Sequence, residues 1–285
     1  MRAHVGLTAA LTLGASLDAS AYQRTQTPGD DPVSIGWTRR CIAYHLNERG
    51  SDDMAFSTFQ TVANRAFAAW QSVDCSDVEV HAVGLTNAET VGYTPGQTNI
   101  NQVIVREGGD WIHSADVLAL TTVTFCNEAS GTLCPSRGRI IDADIEVNGD
   151  DFTFSTTNDP RRMGYDLGNT LTHEAGHFLG LDHTQEGNGE ATMYATAPAG
   201  ERKKASLDGD DQLGLCAAYP ARTPVPECEP FEVASDFYLQ AEAEPKPEDE
   251  GCACDVRPAV PRLGAGPVVL VALLALASLR RRRVR

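Results

Sequence analysis

The sequence predicts an α+β domain, one sheet packed by helices, on three observations. Apolar residues recur at helical spacing between Asp53 and Val73. Segments rich in β-branched residues recur between Arg40 and Val147. A second helical stretch, from about Tyr165 to Leu179, stops at Gly180. In chain order, Arg40 to Leu46 (RCIAYHL) is a strand. Phe56, Phe59, Val62, Ala63, Ala66, Phe67 and Trp70 then line one face of a long amphipathic helix. Val78 to Val83 alternates as a strand, and Asn101 to Arg106 is another. Val117 to Phe125 (VLALTTVTF) and Ile140 to Val147 (IIDADIEV) complete the strands. After the helix that ends at Gly180, a last helix begins near Asp208.

The ends set the domain limits. Residues 1–21 carry Arg2, an apolar run from Val5 to Leu17 and a small-residue site at Ala19-Ser20-Ala21, the order of a secretory signal. A buried helix of a cytosolic domain is the alternative reading. Residues 22–32 are polar with two prolines and read as a linker. Residues 33–220 have globular composition, one domain of ordinary size. Residues 221–251 are rich in Pro and Glu and read as an acidic stalk. In residues 252–285, Cys252-Ala253-Cys254 precedes an uncharged run, Gly264 to Leu279, and then Arg280 to Arg283 and Arg285. The run is a little shorter than the ~20 residues of a full span, and the arginines belong on the cytoplasmic side. The rest of the chain would then lie outside the inner membrane.

The whole chain has 23 basic and 39 acidic side chains, a net charge of −16. The C-terminal arginines offset part of an even more acidic body. Phosphate binding needs basic patches, so nucleic acid is excluded as a partner, whereas solubility and calcium binding suit the acidity. The eight cysteines are an even number, which in an exported chain favours disulfides. Connectivity cannot be read from sequence, but proximity suggests Cys41 with Cys75, Cys126 with Cys134, and Cys216 with Cys228.

The chemistry concentrates in LTHEAGHFLGLDH, Leu171 to His183. His173 and His177 are four apart, about 6 Å along a helix and on one face. Two imidazoles so placed can reach one zinc ion. Gly180 permits the left-handed turn that brings His183 round as third ligand. Three protein ligands leave a position open for water, as catalytic rather than structural zinc sites do. Glu174, rotated about 100° from His173, can flank the metal as general base and then acid without ligating it. A solvated or packing role for the histidines is the alternative. Met193, ten residues after His183, is one of only four methionines.

The full HExxHxxGxxH pattern, with Met193 as its methionine turn, resembles the metzincin metallopeptidases. Within them the likeness is to the matrixins, the matrix-metalloproteinase type. It rests on Asp166 to Thr184, with Leu181-Asp182 before the third histidine and Thr184 where serine is usual, on Met193-Tyr194, and on the last helix, Leu207 to Tyr219, with its Asp-Asp pair. The resemblance spans about Gly36 to Tyr219 and is sharp from Asp166 onward. It implies a twisted, mostly parallel sheet with an antiparallel edge strand, packed by three helices. It implies one catalytic zinc held by His173, His177 and His183, with Glu174 as the catalytic residue and a protein or peptide as substrate. An extended peptide would pair with VLALTTVTF, so Leu118 and Ala119, with Tyr194 after the methionine turn, are the pocket candidates. The last 34 residues resemble the sorting tails of myxobacterial surface and secreted proteins. That implies a tail-processing machinery as partner and a chain exported to the surface or medium; a simple membrane anchor is the alternative. A monomer is expected.

The chain departs from the matrixin pattern in three places. No prodomain cysteine is evident, since only a short segment separates Ala21 from Cys41. Asp142-Ala143-Asp144 stands where matrixins have Asp-Ala-His, and His113 to Asp116 has the wrong spacing for its partners, so no second zinc is expected. No propeller follows the domain. Calcium among Asp142, Asp144, Asp150 and Asp151 stands beside the plain reading of an acidic loop. A surface binding protein that keeps the zinc helix without turnover is the second functional reading. A cell-wall hydrolase is a third, and no wall-binding module accompanies it.

Overall fold

Alternating apolar residues build the sheet in the computed structural model, which describes residues 22–156, 164–185, 188–223 and 228. The elements run β1 (Gln23–Arg24), β2 (Cys41–Asn47), α1 (Phe56–Gln71), β3 (Glu79–Thr86), β4 (Gln102–Arg106), β5 (Ala119–Phe125) and β6 (Ile140–Asn148). After them come β7 (Phe154–Ser155), β8 (Tyr165–Asp166), α2 (Leu167–Phe178), β9 (Leu181–Asp182) and α3 (Gly209–Ala218). The main sheet has the order β3-β2-β4-β6-β5. Its pairings are parallel except β5 with β6, so the antiparallel strand lies at an edge, as the sequence resemblance implies.

Ile42, Tyr44 and Leu46 of β2, Val103 and Val105 of β4, and Ala143, Ile145 and Val147 of β6 alternate along their strands toward one face. There they join Phe59, Ala63, Phe67 and Trp70 of α1 and Leu171, Ala175 and Phe178 of α2 in a single buried cluster. Phe67 lies between Tyr44 and Phe178, with ring centroids 4.3 and 5.2 Å away. Each such side chain contributes about 1.5–3 kcal/mol through burial. The Trp70 indole N–H donates to the Thr172 carbonyl at 2.9 Å, joining α1 to α2 one residue before His173. Helix α1 begins at Phe56 rather than Asp53 because the Asp53 carboxylate is used elsewhere: it accepts the Phe154 N–H at 2.6 Å.

The opposite face of β4 and β6 is polar yet buried. Asp144 accepts the amides of Gly92 at 2.6 Å and Gln102 at 2.9 Å, and Asp142 shares a hydrogen bond with it. Burial, reinforced by the Asp142 charge, pushes Asp144 up to about 8, and burial pushes Asp142 up to about 6. Both carboxyls therefore titrate higher in the folded chain than in the unfolded one. The stability they lend is fully present below about pH 4 and is lost as pH rises through the range of about 6 to 8. Asp142→Asn removes one charge, keeps an acceptor oxygen for protonated Asp144 and supplies an amide donor once Asp144 ionises. Urea unfolding should show wild-type stability declining from pH 6 to 8.5, with the variant flatter and ~1–2 kcal/mol more stable at pH 8. A variant that loses stability just as steeply would contradict the pairing.

Two of the three suggested disulfides are corrected. Cys126 pairs with Cys134, but Cys41 pairs with Cys228 and Cys75 with Cys216. The reason is the return of the chain after α3. Ser76 bridges to Pro220, Ala221 N–H donates to the Cys75 carbonyl at 2.9 Å, and Arg222 reaches Asp77 at 2.7 Å. The end of α3 therefore lies on the α1–β3 loop, and the first stalk residues dock on the domain. Arg40 meets the same Asp77 at 2.8 Å beside Cys41. Replacing both Cys75 and Cys216 with serine should cost about 2–4 kcal/mol in urea unfolding. Peptide mapping that recovered Cys41 joined to Cys75 would refute this connectivity.

No helix among the described residues is long and apolar enough to cross a membrane. The signal segment 1–21, Cys252, Cys254 and the run Gly264 to Leu279 lie outside the described residues.

Candidate metal centre

Helix α2 carries the first two histidines. It starts where the Asp166 side chain accepts the Asn169 N–H at 2.8 Å, a helix cap. It ends at Phe178, and two residues later Gly180, with a φ of +85°, takes the left-handed conformation. Any Cβ there would also lie 2.9 Å from the Ile35 carbonyl. After the turn, Leu181–Asp182 forms β9, which pairs antiparallel with β1 at Gln23 and Arg24. Thr25 adds bonds to the carbonyls of Gly180 at 3.0 Å and Leu181 at 3.2 Å. The segment read as a linker, residues 22–32, thus pins the turn that delivers His183. Two-residue pairing leaves no periodic signal, so the sequence did not reveal it.

The three imidazoles converge. His183 Nε2 lies 3.2 Å from both His173 Nε2 and His177 Nε2. The other nitrogens fix the tautomers. His173 Nδ1 lies 2.6 Å from the Thr192 carbonyl and His177 Nδ1 2.9 Å from the Leu181 carbonyl. A carbonyl only accepts, so each Nδ1 carries the proton and each Nε2 presents a lone pair. His183 Nε2 has at most one proton to share between two lone pairs, so a cation at the point of convergence satisfies the set. Four tetrahedral bonds of 2.0–2.1 Å put ligand nitrogens about 3.3 Å apart, and the observed spacing fits that. Burial lowers the pKa of His173 well below the usual imidazole value and lowers that of His183, keeping both neutral and able to ligate.

Glu174 lies beside this trio, almost fully buried. Thr121 of β5 donates its hydroxyl to Glu174 Oε2 at 2.6 Å, and burial raises the carboxyl pKa. Met193 is buried, with its sulfur packed against Gly176 of α2. A Cβ on Gly176 would run into the Met193 sulfur and come within 2.7 Å of the Trp70 ring, so only glycine fits there. The methionine turn is held by α3: Asp211 accepts the amides of Thr192 at 2.6 Å, Met193 at 3.0 Å and Asp208 at 2.9 Å. Asp208 and Asp211 form a capping box at the start of α3. Thr121, Gly176 and the second role of Asp211 were not singled out from the sequence.

A cleft of about 690 Å³ opens over the histidines and Glu174. Leu118 and Ala119 line it. Tyr194 is not among its lining residues. The wall is made by Ala195, Thr196 and Ala197, while the Tyr194 carbonyl accepts a hydrogen bond from Lys204. The turn accounts for the difference: the Tyr194 N–H closes back on Ala191 at 3.2 Å, and the following residues face the cleft.

The calcium expectation finds no support in the acidic residues that prompted it. Both oxygens of Asp150 accept amides, from Gly109 and Trp111, each at 2.8 Å. Asp151 accepts from Asn148 at 3.0 Å. Asp144 holds the amides of Gly92 and Gln102 and shares a hydrogen bond with Asp142. Among the described residues, Glu79, His81 and Cys228 also lie close enough to suggest a metal site. Cys228 is in a disulfide and offers no thiolate.

Comparison with known proteins agrees with this geometry. The chain is 26% identical over 186 residues to metalloendoproteinase 1-MMP of Arabidopsis thaliana. The alignment covers 64% of this chain and 44% of that protein, so the chain spans less than half the length of that relative. The matrixin family model matches residues 36–220, a span that holds the whole sheet, all three helices, the three histidines and Met193, and the chain belongs to the matrixin family.

Proposed function

We propose that the chain is an exported zinc-dependent endopeptidase. The observation that carries this is the convergence of three imidazole Nε2 atoms beside a buried carboxylate at the floor of an open cleft. His173, His177 and His183 hold the zinc. When bound, zinc supplies Lewis acidity, lowering the pKa of water and polarising a carbonyl. Glu174 takes the proton from the attacking water and delivers it to the departing amine as the C–N bond breaks. Thr121 orients the Glu174 carboxylate for both transfers. Strand β5 is an edge of the sheet with β6 as its partner, so an extended peptide can add to its outer side above the histidines. Export rests on the order of residues at the two chain ends, and surface sorting followed by processing rests on the Cys-x-Cys tail.

Digestion of a mixed peptide library with and without a zinc chelator tests the reading. Endoproteolytic cuts that disappear on chelation and return with zinc are expected. Zinc binding with no cleavage of any peptide or protein would favour the surface binding protein instead.

A further inference from the structure

We propose that Lys204 is a specificity determinant that makes the cleft select an acidic side chain, glutamate or aspartate, immediately after the scissile bond. The proposal rests on the peptidase reading.

Lys204 is 2% exposed, a rare state for a lysine. It lies on a single turn of 3-10 helix, Lys203–Ala205, packed against α2, where its N–H donates to Asn169 Oδ1 at 2.8 Å. From there the side chain crosses to the opposite wall. Its ammonium donates to the carbonyls of Tyr194 and Thr196, the latter at 2.8 Å, and lies 5.6 Å from the Tyr194 ring centroid. One end of Lys204 is thus fixed to the helix that carries the histidines and the other to the wall that follows the methionine turn. The space between these two elements is the cleft, and Lys204 lines it with Phe152, Tyr165, Thr170, Ala195 and Ala197.

The charge has only neutral partners. Among the described residues no carboxylate forms an ion pair with Lys204. The acidic groups whose fields reach it are Glu201, Asp211 and Glu174; Glu201 keeps a buried Oε1 without a hydrogen-bond partner, and the other two are engaged elsewhere. Glu201 meets Lys203 at 3.7 Å, Asp211 holds three backbone amides, and Glu174 accepts from Thr121. Burial pulls the Lys204 pKa below the usual lysine value, as for an ammonium whose surroundings under-compensate its charge. An ammonium has three donors, and two are used. A carboxylate entering between Ala195 and Thr170 would take the third and supply the missing charge. A leucine there would bury its methyls against an incompletely partnered cation, and a lysine would add like charge.

The test uses four matched fluorogenic peptides that differ only in Glu, Gln, Leu or Lys after the scissile bond. With zinc-loaded wild type, kcat/KM should be at least ~10-fold higher for Glu than for Leu and lowest for Lys. Lys204→Met should remove the preference for Glu over Leu, and Lys204→Arg should keep it. Equilibrium binding of the Glu and Leu peptides to Glu174→Ala protein reads the same pocket without turnover. Cleavage that favours Leu over Glu in wild type would overturn the proposal even if Lys204→Met failed to fold. If no peptide is cleaved but the Glu peptide binds Glu174→Ala at least ~10-fold more tightly than the Leu peptide, the peptidase reading fails and the pocket assignment stands. Absence of both cleavage and selective binding overturns both.

Discussion

Glu174→Ala is expected to reduce peptide hydrolysis by about a thousandfold or more while the protein keeps one zinc per chain. Glu174 is not among the converging nitrogens, so its removal leaves the ligand set intact. What is lost is a carboxylate placed beside the trio and held there by the Thr121 hydroxyl at 2.6 Å. General acid–base catalysis of this kind is worth about 10²–10⁴ in rate, and here one group serves both halves of the transfer. Stability should not fall, because a buried carboxylate with raised pKa costs desolvation that alanine avoids. Metal analysis beside kcat/KM checks the prediction, and an active, zinc-replete variant would sink it.

Asp211→Ala has the largest expected effect away from the cleft. Its carboxylate is 1% exposed and accepts three backbone amides, those of Thr192, Met193 and Asp208. Alanine leaves all three buried donors without their acceptor. At about 1–3 kcal/mol for each buried donor left unsatisfied, and with partial relaxation, a loss of ~3–5 kcal/mol in urea unfolding follows. The damage should reach the metal. Thr192 gives its N–H to Asp211 and its carbonyl to His173 Nδ1 at 2.6 Å, so loosening the turn frees the first ligand. Zinc affinity should drop about 10–100-fold by chelator competition. Asp211→Asn keeps one acceptor oxygen and should fall between wild type and alanine. An alanine variant of unchanged stability and affinity would show that the turn is held by other contacts.

The parts legible in the sequence are those set by short-range geometry. Four-residue spacing on a helix fixes where His173 and His177 point, and a glycine stop predicts the turn to His183. Alternation places β3, runs rich in β-branched residues place β5 and β6, and the edge position of β5 follows from the resemblance. The parts that were missed depend on segments meeting across long sequence distances. Nothing local shows that Gln23 and Arg24 brace the His183 turn, that Thr121 holds Glu174, or that Lys204 reaches back to Tyr194 and Thr196. Cysteine pairing failed for the same reason. The nearest cysteine in sequence to Cys41 is Cys75, but the path after α3 brings Cys216 to Cys75 and Cys228 to Cys41. Gly176 was within reach of sequence reasoning: it is the one residue between the two α2 histidines that lacks a side chain, which marks the face where Met193 and Trp70 pack.

The most direct measurement of the central claim is a zinc titration of activity. Chelator-stripped protein is given zinc in steps and assayed on a cleavable peptide, with bound metal counted at each step. Peptidase activity should be absent without metal, rise in proportion to bound zinc, and saturate at one zinc per chain. Activity in metal-free protein, or zinc bound at one per chain with no hydrolysis, would contradict the assignment of His173, His177 and His183 to a catalytic zinc.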